Sequence, residues 1–224
     1  MITVSAYQGR RVGIFGLGRT GLATARALKA GGAEPILWDD NAAGRKTAEA
    51  EGFTVATLDS DMIGSLAALV LSPGVPLTHP APHPLVEAAN ACGCPVVGDV
   101  ELFAQEVTGK AKVIAITGTN GKSTTTALIG HCLDHAGLHT AIGGNIGRAV
   151  LDLPPPDETD VYVLELSSYQ IDLCQNFKAD IAILLNLTPD HLDRHGDMAG
   201  YAAAKARLFD MAPDGATAIL GIDG

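Results

Sequence analysis

The chain has 224 residues, enough for one large or two ordinary domains, and 47% of them are apolar. No unbroken apolar run approaches the roughly 20 residues of a membrane-spanning helix, and Met1 to Arg11 lacks the apolar stretch of an export signal, so a cytoplasmic protein is expected. A formal charge of −10 argues against nucleic acid or an anionic membrane as partner, though not against nucleotides, because glycine loops and helix ends concentrate positive potential locally.

Arg11 to Phe15 reads as a buried strand, and Thr20 to Ala30 as a helix. The turn between them, Gly16-Leu17-Gly18-Arg19-Thr20-Gly21, has the strand-glycine-helix context of a dinucleotide-type fingerprint. Pro35 to Trp38 is the next strand. It ends at Asp39-Asp40, about twenty residues beyond the loop, where a ribose or base contact is expected. NAD is the default ligand of such a loop, but any pyrophosphate-bearing nucleotide satisfies the same physics. Ala67 to Leu71 is a further strand, ending in Ser72-Pro73-Gly74, and Pro95 to Val97 a short one before Gly98-Asp99. Of the four cysteines, Cys92 and Cys94 lack a second pair to complete a zinc site, and Cys132 falls on the apolar side of a helix. Together with Cys174 they read as reduced thiols.

A second strand-turn-helix series begins at Val113–Ile116. Gly118-Thr119-Asn120-Gly121-Lys122-Ser123-Thr124 follows at once and opens a helix from Ser123 to about Ala136, with Leu128, Ile129, Cys132, Leu133 and Ala136 at helical spacing. Such a turn aims backbone N–H groups at a phosphate. Lys122 would reach the β- and γ-phosphates, and the Ser123 hydroxyl would hold Mg2+. A full P-loop has a glycine where this chain has Ile116, so this is a shortened variant. The chain is expected to bind a nucleoside triphosphate.

Val161 to Leu164 and Ile181 to Leu185 are further strands, and alternating strands and helices imply mostly parallel sheets. Two phosphate-type loops, each opening its own series, imply two domains joined near residues 98–110. Glu165 ends one strand where ligands bind in a parallel sheet and is a candidate Mg2+ ligand. The next strand exits into Asn186-Leu187-Thr188-Pro189-Asp190-His191-Leu192-Asp193-Arg194-His195, in which His191 is a reasonable ligand for a second metal. Lys205 falls on the apolar stripe of a helix from Tyr201 to Met211. It either snorkels, the reading the sequence favours, or is a desolvated nucleophilic amine. The terminal run Ala218 to Gly224 stops in or just after a strand pattern, as a truncated polypeptide would.

These stretches, with Ser72-Pro73-Gly74-Val75-Pro76, Gly143-Gly144-Asn145-Ile146-Gly147, Glu165-Leu166-Ser167-Ser168-Tyr169-Gln170 and Ala204-Lys205, resemble the Mur ligase family across essentially the whole chain. The resemblance implies an α/β fold: a Rossmann-like domain over residues 1–98 that binds a UDP-linked substrate, then a P-loop ATPase-type domain over 99–224, incomplete at its C-terminus. It implies ATP and Mg2+ as cofactors, and an ATP-dependent amide-bond ligation of peptidoglycan synthesis that joins D-glutamate to UDP-N-acetylmuramoyl-L-alanine through an acyl phosphate. Gly18, Arg19, Thr20, Gly21, Asp39, Asp40, Asn41, Ser72, Asn145, Ser167 and Gln170 would contact the UDP-substrate. Gly118, Thr119, Asn120, Gly121, Lys122, Ser123 and Thr124 would hold ATP. Lys122, Glu165, His191 and Lys205 would be catalytic, with Ser123 and Glu165 on one metal, His191 on a second, and Lys205 supporting that second metal as a CO2-derived carbamate, which reverses the snorkelling reading. A monomer is expected. A third domain, which supplies the amino-acid site in the family, has no counterpart here, so poor turnover is expected; the alternative is a non-catalytic UDP-sugar-binding module.

Overall fold

Two five-stranded sheets, every strand pair in them parallel, organise the described residues. The computed structural model describes residues 1–222. The first series runs β1 (Arg11–Phe15), α1 (Arg19–Ala30), β2 (Glu34–Trp38), α2 (Ala42–Ala50), β3 (Thr54–Val55), α3 (Ser60–Gly64), β4 (Ala68–Leu71), α4 (Pro84–Cys92) and β5 (Val96–Val97). After α5 (Asp99–Val107) the second runs β6 (Lys112–Thr117), α6 (Lys122–His135), β7 (Thr140–Gly144), a 3-10 turn (Val150–Asp152), β8 (Val161–Glu165), α7 (Ser168–Asp172), β9 (Ile181–Leu184), α8 (Leu192–His195), α9 (Met198–Asp210) and β10 (Thr217–Leu220).

The strand orders are β3-β2-β1-β4-β5 and β10-β9-β6-β8-β7. Connections leave β1 and β6 first to one side and later to the other. Both glycine loops therefore sit at the C-terminal ends of central strands, where the order reverses and a parallel sheet opens a crevice.

Every strand expected from the pattern is present, its ends within a residue of the expected ones. The expected 201–211 helix starts earlier, at Met198, because the Asp197 side chain caps it by accepting the Gly200 N–H at 2.8 Å. Asp223 and Gly224 of the terminal run lie outside the described residues.

The buried face of α6 differs from the expected stripe. Leu128 is 59% exposed, and Cys132 and Ala136 also face outward, while Thr126 and Gly130 are buried. The helix approaches the sheet through glycine: a Cβ on Gly130 would come within 2.2 Å of Ile142 Cδ1. All four cysteines are free thiols, with Cys94 and Cys174 buried.

The sheets share one apolar core. It runs from Ile2 and Val4 through β1 and α1 to α5, the 3-10 turn and β8. Phe103 of α5 meets the edge of Tyr162 at 5.0 Å between centroids. Glu101, 1% exposed, reaches the second series: its carboxylate accepts the N–H groups of Gln175 at 2.8 Å and Asn176 at 2.9 Å, and the Asn176 amide at 3.1 Å.

Candidate functional site

The loop between β6 and α6 is held open by two glycines. Gly118 has φ 150° and Gly121 φ 82°, both in the region that disfavours a side chain. A clamp from the neighbouring strand fixes the loop. The Asn186 side chain accepts the Asn120 N–H at 2.9 Å and donates to the Asn120 carbonyl at 3.1 Å, while the Asn186 carbonyl accepts the Thr119 N–H. The Thr119 hydroxyl joins Thr188 through two bonds and lies 3.3 Å from the Tyr201 hydroxyl. With Thr119 and Asn120 pinned, the first turn of α6, carrying Lys122, Ser123 and Thr124, presents its unpaired N–H groups to the crevice.

The three glycines of the first loop do different work. Gly16 has φ 95°, and a Cβ there would lie 2.4 Å from Cβ of Ser72. One on Gly21 would come within 2.0 Å of the Gly16 carbonyl oxygen, so Gly21 lets α1 close on the loop. Around Gly18 nothing among the described residues lies within 4 Å of such an atom, leaving its backbone open to a ligand. Thr20 is half-buried in the first turn of α1. Asp39 is turned back onto the loop, accepting the Leu17 N–H at 2.5 Å and the Asn41 N–H at 2.7 Å. Asn41 caps α2 through the Ala43 N–H, and Asp40 is exposed. Arg45 carries no signal in the sequence. Its guanidinium lies 4.6 Å from the Trp38 ring and donates to the Asp39 and Asp40 carbonyls.

Glu165 is 1% exposed at the end of β8, with both oxygens engaged. Oε2 accepts the Ser123 hydroxyl at 2.7 Å, and Oε1 accepts the Asn145 amide at 2.8 Å. Lys205 is 2% exposed. Nζ donates to Thr117 Oγ1 at 3.2 Å and to the Gly118 carbonyl at 3.1 Å, and sits 4.6 Å from the Tyr201 ring. It does not snorkel, since its amine ends inside the protein. Burial, followed by the repulsion of Lys122, lowers its pKa from 10.5 to about 8. Lys122 shares its acceptor: Nζ donates to the Gly118 and Thr119 carbonyls at 2.9 and 2.7 Å.

Lys122, Asn145, Ser167, His191 and Lys205 line one cleft of about 350 Å³ with Pro73, Gly74, Ser168, Tyr169 and Tyr201. It lies where the Ser72-Pro73-Gly74 turn of the first sheet faces the second. Two guanidinium groups span the sheets: Arg194 donates to the Gly74 carbonyl at 2.9 Å, and Arg19 to the carbonyls of Gly147 and Asn145. His191 has φ 52° and pairs with Asp190 at 3.3 Å. Among the described residues no three His, Cys, Asp or Glu side chains converge on one point. Gln170 is buried behind Ser167, and the two form the capping box that starts α7.

His195 also escapes the sequence reading. It is 8% exposed, its Nε2 lies 2.9 Å from the Ser168 hydroxyl, and Nδ1 lies 3.6 Å from Asp172. Burial, then the nearby His191 and Lys205, lowers its pKa. Asn186 has no role assigned by the sequence either, although it opens the 186–195 stretch after β9. Its clamp joins residues 66 positions apart, which no local pattern reveals.

Residues 10–98 match the family model described as Mur ligase MurD-like, N-terminal domain, and residues 116–224 match Mur ligase middle domain. The chain is similar to UDP-N-acetylmuramoylalanine--D-glutamate ligase of Caulobacter vibrioides, 57% identical over all of this chain and 48% of that protein. The like-named protein of Paramagnetospirillum magneticum is 53% identical over 100% of this chain and 49% of its own length. The chain thus spans about half the length of the curated relatives it matches. Among solved structures it is similar in fold to a UDP-N-acetylmuramate:L-alanyl-gamma-D-glutamyl-meso-diaminopimelate ligase from Neisseria meningitides (TM-score 0.61, 19% identity, 96% of this chain and 72% of that one). A UDP-N-acetylmuramate-alanine ligase from Thermotoga maritima has the same fold (TM-score 0.56, 17% identity, 94% of this chain and 49% of that one).

Proposed function

Because the chain belongs to the Mur ligase family, we propose that it carries the two nucleotide sites of an ATP-dependent ligase joining D-glutamate to UDP-N-acetylmuramoyl-L-alanine in peptidoglycan synthesis. One observation carries the reading: a glycine fingerprint and a P-loop stand on separate sheets, and a single cleft between those sheets holds Lys122, Asn145, Ser167, His191 and Lys205. Residues 1–98 would be the UDP-substrate unit and 99–224 the ATP unit, acting as a monomer in the cytoplasm, where ATP is available.

The first loop would take the pyrophosphate on Gly18, Arg19, Thr20 and Gly21, with Ser72, Asn145, Ser167 and Gln170 toward the muramoyl end. Asp39, Asp40 and Asn41 would lie by the uridine, where Arg45 adds a cation beside Trp38. In the P-loop, Gly118 to Thr124 would cradle ATP, and Lys122, now on carbonyls, would swing to the β- and γ-phosphates. The substrate carboxylate attacks the γ-phosphorus and ADP leaves. The D-glutamate amine then attacks the acyl carbon of the acyl phosphate, losing a proton, and phosphate departs. Lys122 offsets charge on the transferred group, so the protein contributes by positioning and electrostatics.

The donor set suits Mg2+: Ser123 Oγ and Glu165 Oε2 lie 2.7 Å apart and are hard oxygen ligands, with His191 as donor for a second ion. Bound there, Mg2+ would supply Lewis-acid neutralisation of the phosphates. Lys205 suits a carbamate, because its buried amine loses its proton at about 8 and only the free amine adds to CO2.

Calorimetric titration tests the assignment. UDP and Mg·ADP should bind together, Gly18→Val should weaken only UDP, and Lys122→Ala only Mg·ADP. Binding of NAD in place of UDP, or loss of both ligands in either folded variant, would refute it.

A further inference from the structure

Arg19 stands in the first turn of α1, on the loop of the first sheet, yet both terminal nitrogens leave that sheet. Nη1 donates to the Gly147 carbonyl and Nη2 to the Asn145 carbonyl, 3.4 Å away. The residue is exposed, so burial does not force this contact. Asn145 carries the line onward. Its amide donates to Glu165 Oε1 at 2.8 Å, and its backbone N–H to the Glu165 carbonyl at 2.8 Å. The other carboxylate oxygen of Glu165 accepts the Ser123 hydroxyl at 2.7 Å. An unbroken chain of hydrogen bonds thus runs from the glycine loop to the P-loop helix. The backbone offers little slack, because a Cβ on Gly144, at φ 105°, would lie 2.3 Å from the Glu165 carbonyl oxygen.

We propose that Arg19 couples the two nucleotide sites by exchanging the Gly147 and Asn145 carbonyls for a phosphate oxygen of the ligand on the glycine loop. The proposal rests on the two-nucleotide reading above. A phosphate oxygen offers the guanidinium an opposite full charge and bidentate geometry, which two neutral carbonyls do not, so the exchange is downhill. Once Arg19 leaves, the 145–147 turn loses its tie to α1 and Asn145 can release Glu165. A carboxylate with one fewer donor is a better ligand for the cation beside Ser123. Occupancy of the first loop therefore strengthens Mg·nucleotide binding at the second, and linkage requires the same factor in reverse.

Mg·ADP is titrated into the full chain with and without saturating UDP. UDP should tighten Mg·ADP roughly fivefold or more, the lower end of ordinary coupling. ADP in EDTA should show no such gain, because the hydrogen-bond chain ends on the Ser123–Glu165 pair. Arg19→Met should bind UDP more weakly, bind Mg·ADP without UDP as tightly as the UDP-loaded wild type, and show no gain when UDP is saturated. A wild type that binds both ligands without coupling overturns the proposal and leaves the two-site reading intact, as does coupling that survives in Arg19→Met. Failure of the wild type to bind either ligand overturns both.

Discussion

The substitution Asp99→Asn should stabilise the chain at neutral pH. Asp99 opens α5 and is 3% exposed. Oδ1 accepts the Val100 N–H at 3.0 Å, while Oδ2 has no partner among the described residues. Burial pushes its pKa from 3.8 to about 6, against the pull of backbone N–H groups and of Arg19. A carboxyl raised in the folded state holds its proton more tightly there than in the unfolded chain. Its contribution is thus favourable at low pH and is lost as pH climbs from about 4 to about 6. At about 1.36 kcal/mol per pH unit, the raised pKa of Asp99 costs about 3 kcal/mol at pH 7 and about 1 kcal/mol at pH 4.5. The asparagine side chain keeps the acceptor for Val100 and removes the charge, but leaves an unpaired amide worth about 1 kcal/mol. The net gain is about 2 kcal/mol at pH 7, falling to about zero at pH 4.5. Urea unfolding followed by fluorescence of Trp38, the one tryptophan, which lies in β2 of the first sheet, reads both values. A variant less stable at pH 7, or a gain equal at both pH values, refutes the reasoning.

Glu101→Ala strips the acceptor from three donors of residues 175 and 176 and should cost about 2–4 kcal/mol, measured by denaturant unfolding. Asn186→Ala removes the two side-chain bonds to Asn120 and should weaken Mg·ADP roughly tenfold while leaving UDP affinity unchanged, by calorimetry. With 13C-labelled bicarbonate, a carbamate carbon signal should grow from pH 7 to pH 9 as Lys205 passes its pKa of about 8, and should vanish in Lys205→Met. A signal that persists in that variant would rule the modification out.

The strands and both glycine loops are legible in the sequence because their signals are local: β-branched runs, turn glycines, and a helix beginning at once. What stays hidden depends on which strands become neighbours. Asn186 clamps Asn120 only because β9 lies beside β6, and Arg19 meets Gly147 only because the two sheets face each other. Periodicity misplaces the buried face of α6 because it counts apolar side chains, whereas this helix docks through the absence of one at Gly130. Asn41 reads as a ligand contact, although its position before α2 is also that of a helix cap, and the structure shows it filling that role. Lys205 illustrates the opposite case. Its place on an apolar stripe is visible, but only the burial of its amine among Thr117, Gly118 and Tyr201 separates a reactive lysine from a snorkelling one.

The two kinds of contact joining the sheets have a mechanical consequence. Through α5, the 3-10 turn and Leu173 the halves are welded by shared apolar packing, whereas across the cleft two solvent-accessible guanidinium contacts, those of Arg19 and Arg194, span them. Water can replace a guanidinium-carbonyl bond at little net loss, but it cannot replace a close-packed interior. Bending therefore concentrates along an axle at α5, and the Arg19 and Arg194 spans act as releasable struts across the mouth. Chaotropes or force applied below the unfolding threshold should part the struts first, gaping the jaw while the axle holds.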